Sequence, residues 1–552
     1  MGHDRGLLIT GGPIWTGLSE IPWVEALAVR DGRVAVAGPL TRAVKALGQR
    51  HEALDLHGRA VFPAFQDAHC HPIHGGFQQR SCNLEGRLTA ESCQEAVVAY
   101  MRAHPGGGWI SGMGWSMETF PGGTPHRLVL DSVTGSRPAY LTNRDGHSAW
   151  VNSAALALAG IDHDTPDPEH GRIERDPAGD PQGTLHEGAM GLVSRLLPRP
   201  SEDEAVAALL QAQRHLHSLG ISGWQDAMVD RQTERAYSLV AGAGTLTARV
   251  RMALWWERER GLDQVDELVA RRARLRAEGL NAGSVKIMLD GVMETFTAAT
   301  LEPYRSQGQA GEARERGSGH LFLEPELARS ATEALDRLHF QVHFHAIGDR
   351  AVRLALDAVE ASRREGPTLG FEPRHHIAHI QLIHPHDLPR FHKLGVVANM
   401  QPFWARHDPQ MDELTIPFLG PERTGQQYPF RSLADRGAVL AGGSDWPVST
   451  ANPLEEIAVA VGRVGPGGDG PTREPFLPAE CLPLATAFSA FTAGSAFVNH
   501  LEATTGTLSP GKQADLVVLA ADPFTLEPTA LPQATVELTM VGGRTVYDRG
   551  TV

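Results

Sequence analysis

Between residues 6 and 62, short apolar runs alternate with turn residues: Leu7-Leu8-Ile9, Ala26-Leu27-Ala28-Val29, Val34-Ala35-Val36-Ala37, Ala53-Leu54-Asp55-Leu56 and Ala60-Val61-Phe62. Runs this short, bounded by Gly and Asp, predict β-strands, and Asp31-Gly32 between the second and third is a hairpin turn. So small a sheet cannot bury both of its faces alone. Its complement lies at the far end, in Ala514–Leu519, Val536–Val541 and Thr545-Val546-Tyr547 after a Gly542-Gly543 turn. The expectation is one composite β-sandwich formed by residues 1–62 and 500–552.

Between the two ends the pattern changes to strands alternating with helical stretches, which predicts βα units around a parallel sheet. The strand carrying Asp67-Ala68-His69-Cys70-His71 is followed by Ile221–Asp226, Ala248–Trp255, Ser284–Asp290, Phe340–His345, His375–Gln381, Val396–Gln401 and Val439–Asp445. Together they number eight, and helical segments such as Leu262–Glu278, Leu327–Leu338 and Arg350–Arg364 fit between them. The fold class is therefore α/β, a (β/α)8 TIM-type barrel over residues 63–499. The gap from the first strand to the second is too long for one helix and its loops. Residues at about 77–200 are read as an insertion over the barrel mouth, where substrate enters. Arg463–Arg473, rich in Gly and Pro, reads as a loose loop.

Along a strand, alternate side chains share a face, so His69 and His71 aim together while Cys70 points away. Two converging imidazoles are half a metal site. Lys286, His345, His379 and Asp445 sit near the ends of strands 4, 5, 6 and 8, and all would converge on one end of the barrel. A charged, unpaired lysine in an apolar strand is costly. Lys286 is then either an ion-paired structural residue or a neutral amine that takes up carbon dioxide and bridges two metals as a carbamate. Asp445 either caps the turn before Trp446-Pro447 or binds metal and accepts a proton from water. His343, His375, His376, His384 and His386 read as hydrogen-bonded core or rim residues.

Composition narrows the partner. Of 552 residues, 41% are hydrophobic and 21% charged, as in ordinary globular proteins, and the formal charge is -15. An acidic surface attracts neither nucleic acid nor an anionic membrane, which leaves a small molecule. Cys70, Cys82, Cys93 and Cys481 show no metal-type spacing and are too few to staple the chain, which fits a reducing compartment. No apolar stretch reaches about 18 residues, so the expected location is cytoplasmic.

These residues resemble the amidohydrolase superfamily, and within it the branch that includes N-substituted formamide deformylase and the YtcJ-like hydrolases. The resemblance runs through Asp67–Pro72, Asp145-Gly146-His147, Val151-Asn152-Ser153, Gly220-Ile221 leading to Gln225-Asp226, Val285-Lys286-Ile287 with Asp290-Gly291, His345–Ala351, Gly443–Pro447 and Gly506–Leu516. It implies a site for one or two divalent ions, Zn2+ foremost. His69 and His71 would hold one metal and His345 and His379 the other, with a carbamate on Lys286 bridging them and Asp445 acting as ligand and proton shuttle. Ala64 and Ala378 depart from the family pattern; the second removes an acidic residue that could orient His379. The expected activity is metal-dependent hydrolysis of an amide or formamide-type C–N bond in a small, partly apolar molecule. The rival readings are a heterocycle deaminase and a catalytically silent scaffold. Trp115, Asp145, His147, Glu294 and Phe296 are the candidates for substrate contact, and the resemblance allows a homodimer.

Overall fold

The structure is a computed structural model and describes residues 6–305, 317–364, 372–466 and 474–550. Its centre is a parallel sheet of eight strands: β1 (Phe65–Cys70), β2 (Ile221–Val229), β3 (Arg249–Trp255), β4 (Asn281–Met288), β5 (Gln341–Ala346), β6 (His376–His379), β7 (Val397–Met400) and β8 (Leu440–Gly442). They pair in chain order from β1 to β8, every pair parallel. The two end strands are then joined by side chains and single backbone contacts. The Asp445 N–H donates to the His69 carbonyl at 2.6 Å. Ser444 donates its N–H and its hydroxyl to Asp67 at 3.1 and 2.5 Å. Gly443 permits this closure, since a Cβ there would lie 2.8 Å from the His69 Cβ. An eight-stranded barrel follows, its interior filled by side chains.

Helices wrap the outside because their sequences present one apolar stripe. In Asp349–Arg364, Ala351, Val352, Ala355, Leu356 and Val359 recur at helical spacing and are buried. They share one core with Val285, Ile287, Val342, Phe344 and Ile377, which the strands turn outward. The alternate residues, Ser284, Lys286, Gln341, His343 and His345, are buried polar groups facing the barrel axis.

The two chain ends supply a sandwich against one side of the barrel. Gly6–Thr10, Ala26–Arg30, Arg33–Gly38 and His51–Asp55 form one sheet. Ile14–Trp15, Trp23–Val24 and Ala60–Pro63 join Leu516–Leu519, Val536–Val541 and Arg544–Asp548 in the other. Alternation divides the second sheet between two cores. Val61, Leu516 and Val518 meet Leu27 and Val29 of the first sheet, whereas Phe62, Val517 and Leu519 join the barrel core. The sequence reading has no element between Ala37 and Ala53, but a helix, Leu40–Leu47, covers the outer face of the first sheet with Ala43 and Leu47. At eight residues it is too short for its periodicity to stand out.

Between β1 and β2 the chain builds a six-stranded sheet of its own, in the order Gly171–Arg175, Pro181–Glu187, Ser148–Val151, Ala139–Asn143, Ile110–Trp115, Cys82–Asn83. The helices Ala90–Ala103 and Arg127–Thr134 flank it. Its strand residues 113–114 and 142–143 and the turn 144–147 border the same cavity as the ends of the barrel strands. Of the stretch read as a loose loop, 467–473 lie outside the described residues, while Arg463 at its start is buried and donates to the Tyr428 and Glu480 carbonyls.

Candidate metal centre

His69 and His71 approach one oxygen of Asp445, with Nε2 to Oδ1 distances of 3.1 and 3.0 Å. His379 approaches the other oxygen, Nδ1 to Oδ2, at 3.8 Å. Ligand-capable atoms of His69, His379 and Asp445 all lie within 4.8 Å of one another. Lys286 Nζ is 3.5 Å from His69 Nε2. His345 stands beside His379, ring centroids 4.3 Å apart, but its Nε2 faces the Gly291 carbonyl at 3.4 Å. All six line one cavity of about 570 Å³, a size suited to a small molecule.

Local backbone geometry brings two of them in. His376 points inward and Ile377 outward, so strict alternation would send His379 outward with Ile377. His379 has φ +74° and breaks that alternation; Asp445, just past β8, has φ +56°. Left-handed conformations in non-glycine residues carry strain and cluster at functional sites. With alanine at 378, the ring of His379 is oriented by stacking on Trp404, centroids 5.7 Å apart.

Burial sets the charges. It lowers His69 to about 3, with Lys286 adding to the effect. Burial likewise drives His345 and His379 well below the usual imidazole range. Lys286 falls to about 7 for the same reason. Burial opposes ionisation of Asp445, but the surrounding imidazoles hold its carboxyl well below the usual range. Neutral imidazole nitrogens and a carboxylate thus face one another, all offering lone pairs. Among the described residues, Asp445 Oδ1 and His379 Nδ1 are buried without a hydrogen-bond partner. That donor set suits a divalent cation, which satisfies several lone pairs at once.

The insertion forms the opposite wall. Its antiparallel register pairs Ser148 with His186, which sets the preceding His147 against Glu187. His147 Nδ1 is 2.9 Å from Glu187 Oε1, and the same oxygen accepts the Thr297 hydroxyl at 2.9 Å. Burial alone would lower His147, but Glu187 overrides it and raises it to about 9. Asp145 lines the cavity beside it. Glu294 lines an adjoining space of about 40 Å³, accepts the Thr415 hydroxyl at 3.1 Å, and is raised to about 7 by burial and then by Asp145.

Two candidates for substrate contact are corrected. Trp115 is fully buried, donates Nε1–H to the Leu141 carbonyl at 2.8 Å, and packs edge-on against Phe120 and Trp150. Phe296 packs on Tyr304 and Phe418. Neither lines the cavity: Trp115 belongs to the insertion's own hydrophobic core and Phe296 packs against the cluster of Tyr304 and Phe418. Glu187 and Met190 on the wall, Met228 and Trp255 at the strand ends, and Phe322 were not read from sequence. His343 touches His69 from below, Nε2 to Nδ1 2.8 Å; its parity with His345 was the available signal.

A family model described as the amidohydrolase family matches residues 52–547. The chain is 30% identical to "Protein LONG AFTER FAR-RED 3" of Arabidopsis thaliana, over 98% of this chain and 91% of that one. It is 29% identical to "Putative amidohydrolase YtcJ" of Bacillus subtilis (strain 168), over 98% and 99% of the two chains. It is 27% identical to "N-substituted formamide deformylase" of Arthrobacter pascens, over 100% and 99%. Among solved structures, an uncharacterized metal-dependent hydrolase from Pyrococcus furiosus matches with a TM-score of 0.70 and 26% identity, over 94% of this chain and 100% of that one. Likeness over nearly the whole of each chain is more than a shared barrel, and the chain belongs to the amidohydrolase family of metal-dependent hydrolases.

Proposed function

We propose that this chain hydrolyses a non-peptide amide, of the formamide type, in a small and partly apolar molecule. The observation that carries the reading is the convergence of His69, His71, His379 and Asp445 beside Lys286 at the floor of a cavity of about 570 Å³. The similarity to a protein named N-substituted formamide deformylase supports the bond type.

His69, His71 and Asp445 would hold a divalent ion, joined by His379, expected from sequence on the second ion, because its Nδ1 lies 3.8 Å from Asp445 Oδ2; His345 with a carbamate on Lys286 would serve a second. Such an ion, Zn2+ by resemblance, lowers the pKa of water and polarises a carbonyl. Lys286, lowered to about 7 by burial, supplies a free amine near neutrality. Its Nζ lone pair forms a bond to the carbon of carbon dioxide and releases one proton, leaving the carbamate. Asp445 accepts a proton from the attacking water and returns it to the amine nitrogen as the C–N bond breaks. The products are a carboxylic acid, formic acid for a formamide, and the free amine. His147, kept protonated by Glu187, offers an N–H from the wall, and Met113, Met190, Met228 and Phe322 give the substrate's apolar part its surface.

The test is metal content and native mass on protein purified without chelator, followed by assay on formamides, acyl amides and cyclic amides. The expected result is bound metal, a mass increase of one carbon dioxide that acid removes, and turnover that chelation abolishes and metal restores. A metal-loaded protein that leaves all three amide classes intact while deaminating heterocycles would overturn the reading.

A further inference from the structure

Beneath the layer that faces the cavity, β2, β5, β6 and β7 contribute four fully buried polar side chains, Gln225, His343, His376 and Asn399. Their protons can be assigned because the network is tied to backbone groups on two sides. Gln341 Nε2 donates to the carbonyls of Arg374 and Val498, both at 2.8 Å. Its Oε1 is therefore an acceptor, and it receives Gln225 Nε2 at 3.2 Å. Gln225 Oε1 must then accept, and it takes His343 Nδ1–H at 2.6 Å and His376 Nε2–H at 3.0 Å.

The second side agrees. Gln401 Oε1 accepts the backbone N–H of His379 at 2.6 Å, so Gln401 Nε2 donates, to Asn399 Oδ1 at 2.9 Å. Asn399 Nδ2 then donates to the Ala68 carbonyl at 2.9 Å and to His376 Nδ1 at 3.0 Å. His376 accepts at Nδ1 and donates at Nε2, as the first side also requires. His343 donates at Nδ1, and its polar partners are an amide and an imidazole. Among the described residues no carboxylate hydrogen-bonds to His343 to compensate a second proton in so buried a place, so its Nε2 accepts. The group that donates to it is His69 Nδ1, 2.8 Å away.

We propose that Gln225 and His343 are positioning residues that hold His69 as its Nδ1–H tautomer, with the Nε2 lone pair turned toward Asp445 and Lys286. The inference rests on the reading of His69 as a metal ligand. Its consequence is a lone pair already presented where a metal ion would bind. Left alone, His69 would place its proton on Nε2, where Asp445 Oδ1 at 3.1 Å would accept it and occupy the metal's place. The buried network draws that proton to the other nitrogen before a cation arrives, and through Gln401 the same network reaches the backbone of His379.

Nitrogen-15 NMR of the metal-free wild-type protein, with the His69 signals assigned by their loss in His69→Asn, reads the tautomer directly. Protonation at Nδ1 is expected; protonation at Nε2 would overturn the proposal even if both His343 variants failed to fold. Metal affinity, measured by chelator competition, should fall about 10–100-fold in His343→Leu. His343→Gln, which can place an oxygen where Nε2 stands, should keep the wild-type affinity, with thermal unfolding of the metal-free forms as the control for structure. Unchanged affinity in His343→Leu, or equal loss in both variants, would also overturn it. A protein that shows the Nδ1–H tautomer yet binds no metal would instead sink the hydrolase reading and leave the proton assignment standing.

Discussion

His69 on the barrel floor and His147 on the insertion wall are both largely buried, both beside a carboxylate, and face the same cavity. Burial lowers His69 to about 3, whereas His147 rises to about 9. The difference lies in how the carboxylate is divided. Asp445 is shared among His69, His71 and His379 with Lys286 close by, so its charge does not offset the burial that lowers His69 and His379. Glu187 serves one imidazole, and the Thr297 hydroxyl strengthens it. The floor is thereby a receptor for a cation, and the wall presents one.

The largest expected effect follows from removing the shared carboxylate. Asp445→Asn should lower kcat/KM by at least about 10²–10⁴-fold while circular dichroism stays unchanged, since a positioned proton acceptor contributes that much. A rate within an order of magnitude of wild type would mean that the floor is not where the chemistry happens.

The wall is tested by stability. Glu187→Gln should cost about 3 kcal/mol near pH 6 in denaturant unfolding, because it strands a buried charge. Folded His147 keeps its proton to about 9 and the unfolded residue loses it near 6.5, so the pair's contribution is complete below 6.5 and fades between 6.5 and 9. Glu187 is held below its usual 4.5, which puts the lower edge of full stabilisation there, with loss as pH falls further. The penalty should be greatest between about pH 4.5 and 6.5, and a penalty independent of pH would break the contrast between wall and floor.

The smallest effect lies behind the wall. Trp115→Phe should cost about 1 kcal/mol by leaving the Leu141 carbonyl without its donor, with KM unchanged. A raised KM would return Trp115 to the substrate.

The eight barrel strands were legible because short strand-like runs alternate along the chain with helical stretches, and each was found within a few residues of its observed limits. The insertion was legible only as a gap. Its sheet includes a two-residue strand, Cys82–Asn83, and its other strands run from four to seven residues, among glycines that hide any period. Trp115 and Phe296 were misread because being an aromatic in a segment over the mouth says nothing about which side of that segment it packs on. His343 could have been placed inward from its spacing to His345, but not its contact with His69, which comes from β1, four strands away in the sheet order.

The sequence by itself determined the barrel, the two-ended sandwich and the strand ends where His69, His71, Lys286, His345, His379 and Asp445 stand, since period and strand parity are relations between near neighbours along the chain. Tertiary structure alone decided that His69 is lowered and His147 raised. Glu187 meets His147 through a strand register, Asp445 reaches His69 by closing the barrel, and Gln225 meets His343 across the interior. Charge and tautomer depend on desolvation and on partners within a few ångströms, and those distances exist only once the chain has folded.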